Sequence, residues 1–223
     1  MSEPRNSTGG HLKLKDLLKN EWVKTGIMLA IVLVAFFTLW FGIRYALDTE
    51  YPLLAVASGS MVPKLNIGDL IIVHGISNFS TIYAHPGNGD IIVFHTYLPG
   101  GPNLKGGGDE LIVHRVISKT SIYDSLLRRN VTYFSTRGDA NPSPDFWDLP
   151  PNGGGPGIPD YYVVGKVIGD VPWIGNIPLF IRTTQGLETV IVLIIIVVLA
   201  EYVYSSFREK KKTLETPPIE AQS

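Results

Sequence analysis

From Thr25 to Ile43 the chain carries no charged side chain, and Gly26 to Phe37 is apolar almost throughout. A helix rises about 1.5 Å per residue, so this run approaches the roughly 30 Å of hydrocarbon in a bilayer. A membrane-spanning helix is therefore predicted. The run is longer than the core of a cleaved leader, which is roughly 7 to 15 residues, and Ile43-Arg44-Tyr45 does not offer a small-residue cleavage site. The helix is expected to stay attached as an anchor.

A second apolar run, Thr189 to Ala200, continues through Glu201, Tyr202, Val203 and Tyr204 and stops at Arg208 and Lys210 to Lys212. Its β-branched content would suit a buried strand. Its length and the basic stop favour a second span with interfacial tyrosines, in which Glu201 is the awkward residue. Lys13, Lys15, Lys19 and Lys24 precede the first span, so both basic flanks lie away from the middle of the chain. The positive-inside rule then puts both termini in the cytoplasm and the middle outside. Residues 1–24 are expected as a cytoplasmic segment, 25–46 and 183–207 as the spans, 47–182 as an extracytoplasmic domain, and 208–223 as a basic, disordered tail. Leu12, Leu14, Leu17 and Leu18 among the first lysines fit a surface-lying amphipathic helix or a solvated tail.

Composition narrows the function classes. Hydrophobic residues make up 45% of the 223, and 19 basic residues against 20 acidic ones leave a formal charge of −1. That balance gives no global attraction to nucleic acid. Cysteine is absent, which excludes disulfides, thiolate nucleophiles and cysteine-ligated metals. Covalent catalysis would have to run through oxygen or an amine.

The middle region shows short apolar or alternating runs at Leu53–Val56, Leu70–Val73, Asp90–Tyr97, Leu111–Ser118, Val131–Thr136 and Tyr161–Ile168. Gly, Pro, Asn and Asp turns separate them. The fold class expected is a mainly β domain carried by two transmembrane α-helices. Two Gly/Pro-rich stretches, Pro99–Gly108 and Asn141–Pro159, read as connections or binding lids. Asn78-Phe79-Ser80 and Asn130-Val131-Thr132 are glycosylation sequons.

Ala57-Ser58-Gly59-Ser60-Met61-Val62-Pro63 follows the first strand-like run. If that segment stays extended, Ser58 and Ser60 share a face, with no side chain between them at Gly59. One hydroxyl could then attack a carbonyl while the other donates to the oxyanion. A serine-rich turn is the ordinary alternative. A serine nucleophile needs a base, and imidazole suits that task. His74, His85, His95 and His114 all lie in the middle region, and pattern does not select among them. For an orienting carboxylate, Asp139 and Asp145 stand six apart in a Gly/Pro turn region, where either could bond its own turn or sit at the surface. No tight His/Asp ligand spacing supports a metal site.

Five blocks, in order, resemble type I signal peptidases: Ser58-Gly59-Ser60-Met61 with Pro63; Ile67-Gly68-Asp69 before a strand; Gly89-Asp90-Ile91-Ile92-Val93-Phe94; Val113-His114-Arg115-Val116; and Thr136-Arg137-Gly138-Asp139-Ala140-Asn141 with Asp145. The likeness covers about residues 52–178. Val164–Gly169 and Pro172–Gly175 are similar to the end of the domain in archaeal and endoplasmic-reticulum members. Bacterial members carry a lysine where His114 stands, so the resemblance is to the Ser-His-Asp branch.

The resemblance implies Ser60 as nucleophile, His114 as general base, Asp145 as orienting acid and Asp139 as a second, supporting aspartate. Ser58 and the backbone N–H of Ser60 would form the oxyanion site. It implies a membrane-bound serine endopeptidase that removes signal peptides after small residues, with no cofactor. An extended cleavage region could add as a strand along Leu53, Leu54, Ala55, Val56 and Ala57, which lead into the nucleophile. Preproteins, the lipid bilayer and the secretion translocon are the expected partners. The Gly-rich insertions and the lack of an obvious retention signal point to an archaeal cell membrane, with the reticulum as alternative. Trp173 is placed either at the membrane interface or in the core. Competing readings are a non-catalytic interaction or assembly subunit, and a related peptidase acting on another precursor.

Overall fold

The computed structural model describes residues 21–96, 110–146 and 157–215. The expected surface helix before residue 21, the loop at 99–108, most of the second Gly/Pro stretch and the chain end beyond 215 lie outside the described residues. The chain divides into two compact units, Met1–Pro52 and Leu53–Ser223.

The first unit contains helix α1 (Glu21–Ala46), of which Val23–Ala46 is long and apolar enough to cross a membrane. Met28, Leu33, Phe37 and Phe41 are all exposed along it. A helix apolar on every side has no soluble core to face, and its natural solvent is lipid.

The second unit is built on seven strands: β1 (Leu53–Ala55), β2 (Leu70–His74), β3 (Ile91–His95), β4 (Leu111–Asp124), β5 (Arg129–Arg137), β6 (Ile158–Pro159) and β7 (Val163–Val171). They form one sheet in the order β1-β2-β7-β3-β4-β5-β6, and every neighbouring pair is antiparallel. A short helix, α2 (Asn176–Ile181), leads into a long one, α3 (Thr184–Glu215), whose Thr184–Phe207 part is a second candidate span. The chain thus has a mainly antiparallel β framework and two long apolar helices, the expected class.

Central strand β3 explains the packing. Ile92 and Phe94 join one buried cluster with Ile82, Val116, Phe134, Ile158 and Tyr162. Ile91 and Val93 join another, with Val56, Met61, Leu65, Ile71 and Val73. Successive strand side chains point to opposite faces, so β3 is covered on both sides, and its apolar run needs no polar alternation. The second cluster takes in residues on either side of Ser60, which anchors that loop in the core.

Three features depart from the expected outline. β4 continues to Asp124 rather than stopping at Ser118, and its register with β5 shifts between Val116 and Ser118. Its polar distal half, exposed from Ser118 to Tyr123, has no inward face to impose an apolar pattern. Strand β6 is two residues long, too short for any period. Helix α2, six residues in a region read as β, is likewise below the length at which helical spacing is legible.

Candidate active site

The nucleophile candidate sits in a closed loop. β1 ends at Ala55, after which the Val56 N–H donates to the Asp69 carbonyl (2.9 Å) and the Gly68 N–H to the Val56 carbonyl (2.9 Å). Inside this closure, the Leu65 N–H donates to the Met61 carbonyl (2.9 Å), and both side chains are buried. Ser58 to Ser60 therefore occupy a bend and turn, not the extended segment on which their shared face was predicted. The turn still brings the hydroxyls together, with Ser58 Oγ 3.4 Å from Ser60 Oγ.

His114 lies on β4 opposite Ile92 of β3 and is 8% exposed. Its Nε2 is 3.1 Å from Ser60 Oγ, and its Nδ1 is 2.5 Å from Asp145 Oδ2. An ionised carboxylate only accepts hydrogen bonds, so this arrangement assigns the neutral ring's proton to Nδ1 and leaves Nε2 to accept from the serine hydroxyl. Asp145 is held from behind by one residue. Its N–H donates to the Thr136 carbonyl (2.8 Å), and the Thr136 hydroxyl donates to its Oδ2 (2.8 Å). Thr136 is fully buried on β5. Sequence reasoning missed it as a site residue; the signal available was its place at the head of the Thr136–Asn141 block.

Asp139, grouped with the catalytic residues by resemblance, meets a different partner. Arg115 donates from Nε to its Oδ1 (2.7 Å) and from Nη2 to its Oδ2 (2.5 Å), and from Nη1 to the Gly89 carbonyl (2.6 Å). The hydrogen bonds it donates to Asp139 hold the Arg115 guanidinium above its ordinary pKa, against burial, which lowers it. This forked, charge-assisted pair ties the Asp139 loop to the strand residue next to His114. The Ala140 N–H donates to the Ser60 carbonyl (2.9 Å). One loop thereby braces both the strand that carries His114 and the turn that carries Ser60.

The other histidines lie elsewhere. His74 is exposed and its Nδ1 contacts the Gly75 carbonyl (2.6 Å). His85 is exposed, stacks on Tyr83 and accepts from the Gly87 N–H (3.1 Å). His95 is opposite Leu111, at the other end of the β3–β4 ladder from the Arg115–Ile91 pair.

Of the expected substrate strand, Leu53, Leu54 and Ala55 pair with β2 from the sheet edge, with no strand on their other side among the described residues. Ala57 is exposed beyond the strand, whereas Val56 is buried in the second core cluster and unavailable as a pocket wall.

Chemically, this is a hydroxyl, an imidazole and a carboxylate in line, with a second hydroxyl beside the first and an edge strand leading to them. Such an array can activate an oxygen nucleophile, return its proton to a leaving group and stabilise an oxyanion.

No family model matches the chain. Among known proteins it is similar to the signal peptidase complex catalytic subunit SEC11 of Metarhizium robertsii, 30% identical over 165 residues that cover 72% of this chain and 81% of that protein. SEC11 of Schizophyllum commune is 31% identical over 175 residues, 74% of this chain and 77% of that protein. SEC11 of Tuber melanosporum is 28% identical over 182 residues, 81% and 90% of the two chains. Identity at this level across most of both chains, on a β framework with two apolar helices, leads to one conclusion: the chain belongs to the type I signal peptidase family, in its endoplasmic-reticulum-type branch.

Proposed function

We propose that this protein is a membrane-bound serine endopeptidase that removes N-terminal signal peptides from preproteins, with Ser60, His114 and Asp145 as its catalytic residues. The observation that carries the assignment of residues is the position of His114, 3.1 Å from Ser60 Oγ on one side and 2.5 Å from Asp145 Oδ2 on the other. The names of the SEC11 relatives, catalytic subunits of a signal peptidase complex, support the substrate.

In this reading Ser60 Oγ attacks the carbonyl carbon of the bond to be cut as His114 Nε2 takes its proton. The oxygen of the tetrahedral intermediate is met by the Ser58 hydroxyl and the Ser60 N–H. The imidazolium, facing the Asp145 carboxylate, then protonates the departing amine. Water, deprotonated by the same nitrogen, releases the leader as an acid and restores the hydroxyl. Asp139 acts through Arg115 as a positioning residue. The substrate's extended cleavage region lies along the β1 edge, with its small side chains next to Ala57.

The basic flanks of the two spans support a topology with both termini in the cytoplasm and the region from 47 to 182 outside. The relatives are fungal and give no support to the archaeal cell membrane expected from the insertions; a reticulum membrane fits them. Incubating the solubilised protein with a preprotein and mapping the cut by mass spectrometry tests the activity. A single cut after a small residue at the leader junction is expected. An intact preprotein would favour the assembly-subunit reading, and a cut elsewhere a different precursor.

A further inference from the structure

Two glycan-acceptor triplets play no part in the chemistry at Ser60, Asn78-Phe79-Ser80 and Asn130-Val131-Thr132, and the fold treats them in opposite ways. A triplet of this kind carries its glycan on a surface loop of a chain that reaches the outer side of a membrane.

Asn130 and Thr132 belong to β5, where the ladder sets them opposite Tyr123 and Ser121 of β4. Between them Val131 is fully buried. The Thr132 N–H donates to Asp160 Oδ2 (3.0 Å), and the Asn130 carbonyl accepts from Arg129 Nη1 (3.2 Å). The Asn130 side chain is exposed, but the backbone of its triplet is locked into the sheet. A transferase could thread it only before β5 forms.

Asn78 stands outside the sheet, at the head of the short turn Phe79–Thr81, and both it and Ser80 are exposed. The turn is held from beneath. The Phe79 ring lies against Phe134, with centroids 6.2 Å apart, and Lys119 Nζ donates to the Ser80 and Ile82 carbonyls (2.7 Å each). With its inner side fixed in this way, the turn presents Asn78 and Ser80 outward. Asn78 Oδ1 accepts from the Ser80 N–H (3.0 Å) and the Ser80 hydroxyl (2.7 Å). The amide is thereby oriented by its oxygen, and Nδ2, the atom a glycan would join, has no hydrogen bond among the described residues.

We propose that Asn78, and not Asn130, is a glycan attachment site of this protein. The co-reactant is an oligosaccharide carried on a lipid pyrophosphate. Nδ2 bonds to the anomeric carbon as that carbon's bond to the pyrophosphate oxygen breaks; the lipid pyrophosphate leaves, and the amide gives up one proton to water. The assignment rests on the topology that puts residues 47 to 182 outside.

The test expresses the full chain in a fungal host. One step in gel mobility is expected that peptide-N-glycosidase removes, and mass spectrometry should place the resulting Asn-to-Asp conversion at residue 78. Asn78→Gln and Ser80→Ala should each abolish the step, the second by removing only an exposed hydroxyl, whereas Asn130→Gln should leave it. Persistence of the step in Asn78→Gln and Ser80→Ala would overturn the proposal, as would conversion at residue 130. Because the chain has no cysteine, Leu126→Cys, at a position 92% exposed, gives one thiol that reports topology separately. In sealed microsomes a membrane-impermeant maleimide should label it only after permeabilisation. A shielded thiol with no mobility step would refute the acceptor and leave the topology standing; labelling of sealed microsomes would refute both. Asn78→Gln should cut a preprotein at the wild-type rate. Failure of every form to cut would sink the peptidase reading, and the glycan result would stand without it.

Discussion

The Ala140 N–H reaches the Ser60 carbonyl across 2.9 Å, so the loop that presents one aspartate to Arg115 also grips the backbone of Ser60. A Cβ on the neighbouring Gly138 would lie 2.6 Å from that same carbonyl oxygen. Backbone cannot yield as a flexible side chain does. Gly138→Ala is expected to displace Ser60 and lower kcat by at least tenfold, with the fold retained by circular dichroism. Wild-type kcat in that variant would show that the loop does not set the nucleophile's position.

Ser60→Ala and His114→Ala should each leave a folded, membrane-inserted protein with activity reduced by a factor on the order of 10⁴ or more, as for members of a catalytic unit. Because a base must be unprotonated to accept the serine proton, wild-type kcat/KM should fall on the acid side. Preprotein processing assayed across pH checks both statements, and a flat acid limb would remove imidazole from the base role.

The two aspartates should separate. Asp145→Asn favours the wrong ring tautomer and should lower kcat by roughly 10⁴ with little change in KM. Asp139→Asn leaves the triad contacts in place and weakens the fork to Arg115, so its main effect should be a lower Tm with a smaller loss of kcat. Thr136→Val removes one donor to the Asp145 carboxylate, a bond worth about 1.5–3 kcal/mol, and Thr136→Ser should restore most of the loss. A reversed ranking of the aspartates would exchange their roles.

Ser58 stands beside Ser60 but is exposed. If it is a principal oxyanion donor, Ser58→Ala should cost about 10² to 10³ in kcat, with substrate binding maintained. A loss of only a few fold would leave the Ser60 N–H as the main donor.

Acid stability should depend on a group away from the site. Burial alone would raise the pKa of Asp160, but hydrogen bonds from Arg129 and the Thr132 N–H outweigh it and hold the carboxyl below its ordinary value. A carboxylate depressed by folding adds stability that is present above the unfolded value, and that is lost as pH falls through the folded one. The loss should therefore begin near pH ~4 and continue below it. Asp160→Asn should lower Tm at neutral pH and flatten its fall in acid, as measured by thermal unfolding across that range.

What the sequence settled alone was local. Charge-free length marks a long apolar helix, as at Thr25–Ile43, and short apolar runs between turn residues mark strands, because both signals lie within a few neighbouring residues. The motif blocks also named Ser60, His114 and Asp145 through a resemblance. Spacing alone could not choose among four histidines, nor between two aspartates six apart. Their meeting belongs to the tertiary structure, because His114 is separated from Ser60 by 54 positions and from Asp145 by 31, and it takes the β4–β5 pairing together with the closed loop after β1 to bring the three side chains to one place. Likewise, Asp139 turns to Arg115 and Asp145 to the imidazole because Thr136 holds the latter by backbone and hydroxyl at once, a contact between partners that no periodicity encodes.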